Sequence, residues 1–291
     1  MRMRTVIVIA VFFLAGCGST STSGRLNVVA AENVYGNIAS QIGGPHVSVT
    51  SILTDPNADP HLFEPETANG LAVATANVVL QNGLGYDAFM TKLENAAPSK
   101  SRIVVTMATV LGVHGKDADP HLWYDVPALD RSAASIAAVL EQADRRHAAA
   151  YRAGLARFER SLGPLRREVA TIRARFGDAR VAYTEPVPGY LVAAAGLRNL
   201  APETYTRAIE DGTEPAPGAV AAMDSLVSKH RIRALLYNSQ AVSPITARLR
   251  SAALAAGIPV VPVRETLPQG LTFQRWQLGQ AMALAGALSK R

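Results

Sequence analysis

The sequence predicts an α/β protein: two parallel-sheet lobes joined by one long, kinked backbone helix. Three observations predict it. Short apolar runs bounded by turn residues alternate with longer amphipathic stretches in both halves of the chain, the pattern of repeated βα units. Between the halves runs a single helical stripe, Tyr151, Leu155, Phe158, Leu162, Leu165, Val169, Ile172 and Phe176, whose spacings alternate four and three. Polar residues stand directly after several buried runs, where the carboxyl ends of parallel strands open onto a crevice.

In the first half, Leu26 to Glu32 reads as a buried strand entering a helix through Asn33 to Ile42. Gly43-Gly44-Pro45 breaks that helix, and Val47 to Leu53 alternates as the second strand. Glu66 to Thr75 reads as helix, and Asn77 to Gln81 and Ile103 to Met107 as two further strands. Ala128 to Ala143 is amphipathic, with Asp130 near its start, where the helix dipole favours an anion. The long stripe follows. Gly163-Pro164 interrupts it, and an interior proline removes a backbone hydrogen bond, so a kink is expected there. The stripe continues in phase beyond the proline. One bent helix is therefore preferred to a coiled-coil seam, which takes about three to four heptads.

In the second half, Arg180 to Tyr183 is a strand ending in Thr184-Glu185-Pro186, and Tyr190 to Ala195 is helical. Gly218 to His230 is a helix, Ala234 to Tyr237 a strand with Asn238-Ser239-Gln240 at its end, and Ile245 to Ala256 a helix. Val260 to Arg264 is the last strand, ending in Glu265-Thr266-Leu267-Pro268, and Gln274 to Leu288 is the closing helix.

Composition narrows the function. With 291 residues, 48% hydrophobic and 18% charged, the chain is globular and long enough for two cores. The formal charge is +6 and the pI about 9.7, but the arginines gather between Arg145 and Arg175 without aromatic interleaving. That is a solvated helix face, and nucleic acid is not expected as a partner. A single cysteine excludes an internal disulfide framework and a multi-thiolate zinc site.

The first residues account for that cysteine. Met1-Arg2-Met3-Arg4 is basic, and Thr5 to Leu14 is apolar but much shorter than the roughly 20 residues of a membrane span. Leu14-Ala15-Gly16-Cys17 resembles the lipobox of bacterial lipoproteins, which implies removal of residues 1–16 and lipid on Cys17. A plain signal peptide or a buried helix is the alternative. Residues 17–25 read as a flexible Ser/Thr/Gly tether.

The chemistry centres on a repeat. Asp59-Pro60-His61-Leu62-Phe63 and Asp119-Pro120-His121-Leu122-Trp123 carry the same tripeptide 60 residues apart. Proline fixes its own φ and pushes the preceding Asp out of the α region, so each histidine leaves a stiff, non-helical turn. Two such imidazoles could converge on one metal ion; two unrelated surface turns are the bland alternative. Glu185 and Glu265 occupy the same kind of place, each soon after a buried strand. Two imidazoles and two carboxylates suit a divalent first-row metal, although either acid could instead be solvated or cap a helix. Asn238 and Gln240 fall beside them as outer partners that could hold a ligand by hydrogen bonds. His114 reads as a surface residue, and His46, His147 and His230 as solvated residues without a role.

The lipobox, the paired Asp-Pro-His turns, the long spine and the Thr-Glu and Glu-Thr strand ends together resemble the cluster A-I substrate-binding proteins, the metal-binding lipoproteins of bacterial zinc and manganese ABC importers. The resemblance spans essentially the whole chain. It implies two α/β lobes with the metal in the cleft between them: 26–143, a linker helix over 144–176, and 177–291. It implies His61 and His121 as the first two ligands, Glu185 as the third and Glu265 as the fourth. A glutamate at Glu185 follows the manganese-type members, where zinc-type members usually carry histidine. Glu265 replaces an aspartate of the family pattern. The loop Val113-His114-Gly115-Lys116-Asp117-Ala118 lacks the His/Asp-rich run often seen in zinc-type members.

The function so implied is capture of Zn²⁺ or Mn²⁺ on the outer face of the cytoplasmic membrane and delivery to a permease. The protein would be monomeric, held to the membrane through Cys17, and not an enzyme. A modest cleft change, and affinity that falls as pH drops toward about 5, are expected with it. A secreted metalloenzyme would need an open coordination position and a nearby base, and no His-Glu-x-x-His spacing is present. A metal-independent adhesive surface lipoprotein is the remaining alternative.

Overall fold

The structure, a computed structural model, describes residues 24–57 and 59–290; the leader and Cys17 lie outside them. In the first lobe β1 (Leu26–Glu32), β2 (Val47–Leu53), β3 (Val78–Gln81) and β4 (Ile103–Thr106) form one parallel sheet in the order β2-β1-β3-β4. β1 and β3 are central and carry the near-continuous apolar runs of strands covered on both faces. The helices of this lobe are α1 (Asn33–Gly43), α2 (Thr67–Thr75), α3 (Ala88–Ala96), α4 (Met107–Leu111) and α5 (Leu129–Ala143).

The spine comprises α6 (Ala148–Ser161) and α7 (Gly163–Phe176), joined at Leu162, whose own dihedrals stay helical. Proline sits in the first turn of α7, where its missing N–H has no partner to lose. Leu162 tightens the turn by donating to the Glu159 carbonyl at 3.2 Å. The expected kink is thus present, one residue before Gly163. Tyr151, Phe158, Leu162, Leu165, Val169 and Ile172 are buried, each contributing on the order of 1.5–3 kcal/mol. Leu155 and Phe176 are half-buried. A Cβ on Gly154 would stand 2.1 Å from the Ile42 carbonyl oxygen, so only glycine lets α6 cross the end of α1 at this distance.

The second lobe repeats the plan. β5 (Arg180–Tyr183), β6 (Arg198–Asn199), β7 (Ala234–Asn238) and β8 (Val260–Val263) form a parallel sheet in the order β6-β5-β7-β8. Its helices are α8 (Gly189–Ala194), α9 (Glu203–Glu210), α10 (Pro217–Ser228), α11 (Pro244–Ala255) and α12 (Phe273–Ser289). One apolar core runs from the first sheet through the spine to the near face of the second, with Phe158 against Phe273 and Tyr124 against Trp276. A smaller core lies on the far face of the second sheet.

Several expectations need correction. Met107 begins a short helix instead of ending β4, and α3, α9 and β6 were not legible as elements. Glu66 is the N-cap of α2, in a capping box with Asn69, not its first residue. His230 lies beyond the end of α10 at φ 48°. His46 and His147 are not freely solvated: their rings stack 3.9 Å apart, and His147 Nδ1 meets Asp144 Oδ2 at 2.6 Å, fastening the start of the spine to the turn after α1. His114 is exposed, as expected.

Candidate metal centre

The sequence echo is a structural echo. In both Asp-Pro-His copies the aspartate Oδ1 accepts the backbone N–H of its histidine at 2.9 Å. Asp59 is extended, as a residue before proline must be, but the chain then makes a short 3-10 turn over Pro60–Leu62. His61 therefore sits inside a turn of helix, where a non-helical conformation was expected. His121 immediately precedes another such turn, Leu122–Tyr124.

Both turns lie beyond the carboxyl ends of first-lobe strands, and Glu185 and Glu265 follow β5 and β8 of the second. Across the cleft, Glu265 Oε2 stands 3.5 Å from His61 Nε2 and 3.4 Å from His121 Nε2. The ligand atoms of His61, His121 and Glu265 all lie within 4.8 Å of one another. Around an ion bound tetrahedrally at about 2.0–2.1 Å, neighbouring ligand atoms are separated by roughly 3.3–3.4 Å. The two distances match that edge.

Glu185 stands at the side of this triangle. Its Oε2 accepts a hydrogen bond from Asn238 Nδ2, which also donates to Glu265 Oε1 at 2.7 Å. Its other oxygen, Oε1, is buried without a hydrogen-bond partner, as are His61 Nε2 and His121 Nε2. The two imidazole nitrogens lie together beside Glu265 Oε2, while Glu185 stands outside that group; buried polar atoms without partners are costly unless a cation is to be received. Gln240 acts on Glu265 through the backbone: its Oε1 accepts from the N–H of Glu265 at 2.7 Å and of Thr266 at 3.2 Å.

Beyond Asn238 and Gln240, further groups support the ligands. His121 Nδ1 is 2.8 Å from Asp119 Oδ1; a proton held there leaves Nε2 with its lone pair toward the cluster. Tyr86 donates to Glu265 Oε2 at 2.9 Å, and its ring packs edge-on against both imidazoles. Asn82, fully buried, accepts from the Tyr35 hydroxyl at 2.7 Å and donates to the Pro120 carbonyl at 2.8 Å, bracing the second turn from behind. Glu210 Oε1 is buried 4.0 Å from His121 Nδ1. Of these only Asp119, inside the repeated tripeptide, gave a sequence signal.

Charge and burial set the protonation states. Burial pushes Glu185 up to about 8, reinforced by the nearby Glu265 charge. Burial acts on Glu265 in the same direction, but the two imidazoles outweigh it and hold that carboxyl well below the usual range. Burial lowers the basicity of both histidines, yet Asp119 and Glu265 raise His121 well above the ordinary imidazole value, and Glu265 raises His61. The cluster is a store of protons that a cation must displace.

Among the described residues no helix is long and apolar enough to cross a membrane. The manganese-binding lipoprotein MntA of Bacillus subtilis is 30% identical over 184 residues, covering 58% of this chain and 60% of that protein. The manganese ABC transporter substrate-binding lipoprotein scaA of Streptococcus gordonii is 25% identical over 258 residues, 82% of this chain and 81% of that one. Among solved structures, the periplasmic zinc-binding protein TroA of Treponema pallidum superposes with a TM-score of 0.77 at 18% identity, over 92% of this chain and all of that one. The profile of the ZnuA family, described as zinc-uptake complex component A, periplasmic, matches residues 28–287. The chain belongs to that family.

Proposed function

We propose that the protein is the extracytoplasmic solute-binding component of an ABC importer, capturing Zn²⁺ or Mn²⁺ and delivering it to a membrane permease. The observation that carries the reading is the triangle of His61 Nε2, His121 Nε2 and Glu265 Oε2, with spacings of 3.4 and 3.5 Å and both imidazole nitrogens buried without a hydrogen-bond partner. Glu185 supplies the fourth ligand by turning its unpartnered Oε1 inward. The manganese-binding and zinc-binding relatives support the same class of cargo.

The chemistry is capture, not catalysis. Four protein ligands leave no position for a metal-bound water, and the ion is cargo. An ion bridging the lobes favours the closed arrangement by its differential affinity for it, and the continuous core between the lobes keeps that change small. Lipid on Cys17 holds the protein beside its permease. The carboxylate at Glu185 leans toward manganese by donor hardness, while intrinsic affinity leans toward zinc.

Thermal melting of chelator-stripped protein with Cys17→Ser tests this. Either ion at about 100 times its dissociation constant adds roughly 2.7 kcal/mol to stability and raises Tm visibly, and Glu265→Ala removes the increment. An unchanged Tm with both ions would sink the reading.

A further inference from the structure

Glu265 follows the second sheet, where Asn238 and Gln240 hold it, yet it and the segment after it are also tied to the first lobe. Asn33, Asn37 and Gln41 recur every four residues on one face of α1, and all three reach across the cleft to the segment that follows Glu265. Asn33 binds Leu267 twice: its Oδ1 accepts the Leu267 N–H and its Nδ2 donates to the Leu267 carbonyl, both at 2.9 Å. Asn37 Oδ1 accepts the Phe273 N–H at 2.9 Å. Gln41 and Gln274 exchange amide hydrogen bonds at 2.7 and 3.0 Å, and Gln41 also donates to Asn37 at 2.7 Å. Further first-lobe ties come from Tyr124, whose hydroxyl donates to the Arg264 carbonyl at 2.6 Å, and from the Asp55 carbonyl, which accepts from Thr266 Oγ1 at 3.2 Å. Tyr86 holds the Glu265 carboxylate itself.

Glu185 is held differently. Among the described residues its side chain receives one hydrogen bond, from Asn238 on β7, which is a second-lobe residue. Asn238 holds Glu265 as well, but only Glu265 adds a first-lobe hydrogen bond, from Tyr86, so a relative movement of the lobes strains the two carboxylates unequally.

We propose that Asn33, Asn37 and Gln41 are positioning residues that fasten the Glu265 segment to the first lobe. His61, His121 and Glu265 then form a three-ligand platform that persists without metal, and Glu185 is the ligand that arrives on capture and leaves on release. This deepens the transport reading and rests on it. An interlobe amide ladder that merely added stability would act on both carboxylates alike; one that positions Glu265 acts through it alone.

The test is a pair of mutant cycles read as dissociation constants for Zn²⁺, from competition with a chelator of known affinity. Asn33→Ala/Asn37→Ala weakens binding by about tenfold, the lower end of what loss of an outer partner costs. On a Glu185→Gln background the same tenfold multiplies; on a Glu265→Gln background it vanishes. Asn37→Asp, which keeps the acceptor for Phe273, restores most of the loss in the Asn37→Ala single variant. Equal cost on both backgrounds overturns the proposal. Hydrogen exchange of the Leu267 and Phe273 amides gives a second reading on the unmutated protein: both stay protected after chelation. Protection lost on chelation, with metal binding intact, overturns this inference alone. Wild-type protein that takes up neither ion overturns the transport reading, and this inference falls with it.

Discussion

The two Asp-Pro-His copies share a tripeptide, a backbone turn and an aspartate-to-amide hydrogen bond of 2.9 Å, yet their surroundings differ. The residues after His121 are buried to the last: Leu122 and Trp123 are 1% exposed and Tyr124 not at all. After His61 the chain turns outward, with Leu62 75% exposed beside an open cavity of about 660 Å³ lined by Asp55, Asp59 and Glu64. Asp119 holds the His121 ring as well as its backbone, whereas Asp59 holds only the His61 backbone. A tripeptide fixes the direction in which a ligand leaves the chain; what packs behind it decides whether that ligand is an anchor or a door. His121 is the anchor and His61 the door.

Removal of each ring tests the contrast most severely. His121→Ala and His61→Ala each lower Zn²⁺ affinity by more than the roughly 10–100-fold that an outer partner costs, and His121→Ala lowers it further. His121→Ala also lowers the Tm of the metal-free protein, because it opens a hole among Tyr86, Trp123 and the Asp119 carboxylate; His61→Ala, whose side chain is 21% exposed against none for His121, lowers it less. Chelator competition and melting curves read both effects. Equal losses at the two positions would erase the distinction between anchor and door.

Proton linkage sharpens it next. Both imidazoles are raised, His121 the more, so carbon-detected NMR of metal-free protein should show His121 losing its proton at the higher pH. Metal needs them neutral, and it needs Glu185, pushed up to about 8, ionised. Affinity therefore falls as pH drops from about 8, roughly tenfold per pH unit for each proton displaced. This is a higher window than ligand type alone suggested. Stability of the metal-free protein runs the other way. Raised imidazole and Glu185 values give a contribution present at low pH and lost as pH rises through the folded values, so its Tm falls between about pH 6 and 8. A metal-free Tm that climbs over that interval would contradict the assignment.

What was legible in the sequence follows from the range of the forces involved. Strands, their polar carboxyl ends and the in-phase spine are local patterns, and β1, β5, β7, β8 and the spine stripe stand close to where periodicity put them. Groups that act across the cleft were not legible. Asn33, Asn37 and Gln41 gave no signal, because nothing local distinguishes an amide that meets water from one that meets Leu267 or Gln274. Tyr86 sits in a glycine turn without periodicity, and Glu210 on a helix too short to announce itself. The order of strands in each sheet was equally hidden, since it depends on crossovers that the sequence does not mark.

Exchange of aspartates isolates the one bond that separates the copies. Asp119→Asn removes the charge behind His121 Nδ1 and lets an amide nitrogen face it, so affinity falls roughly 10–100-fold. Asp59→Asn keeps an oxygen for the His61 N–H and changes affinity by less than about threefold, on the scale of a surface polar exchange. The ratio of the two dissociation constants is the measurement, and a ratio near unity would mean that the carboxylate behind His121 does nothing the amide cannot.

A modest effect belongs to the residue that touches both copies. Tyr86 packs edge-on to His61 at 5.4 Å and to His121 at 5.8 Å, while its hydroxyl donates to the oxygen of Glu265 that faces both rings. Tyr86→Phe keeps the ring and removes the donor. Glu265 remains tied through the amide ladder and Gln240, so the loss in affinity is expected to stay at or below about tenfold and to appear as faster release. Because the hydroxyl serves the carboxylate and not either imidazole, the same factor should recur on His61→Ala and His121→Ala backgrounds. A factor that survives on one background and disappears on the other would assign the hydroxyl to that turn, and would make Tyr86 part of the asymmetry instead of the hinge on which it rests.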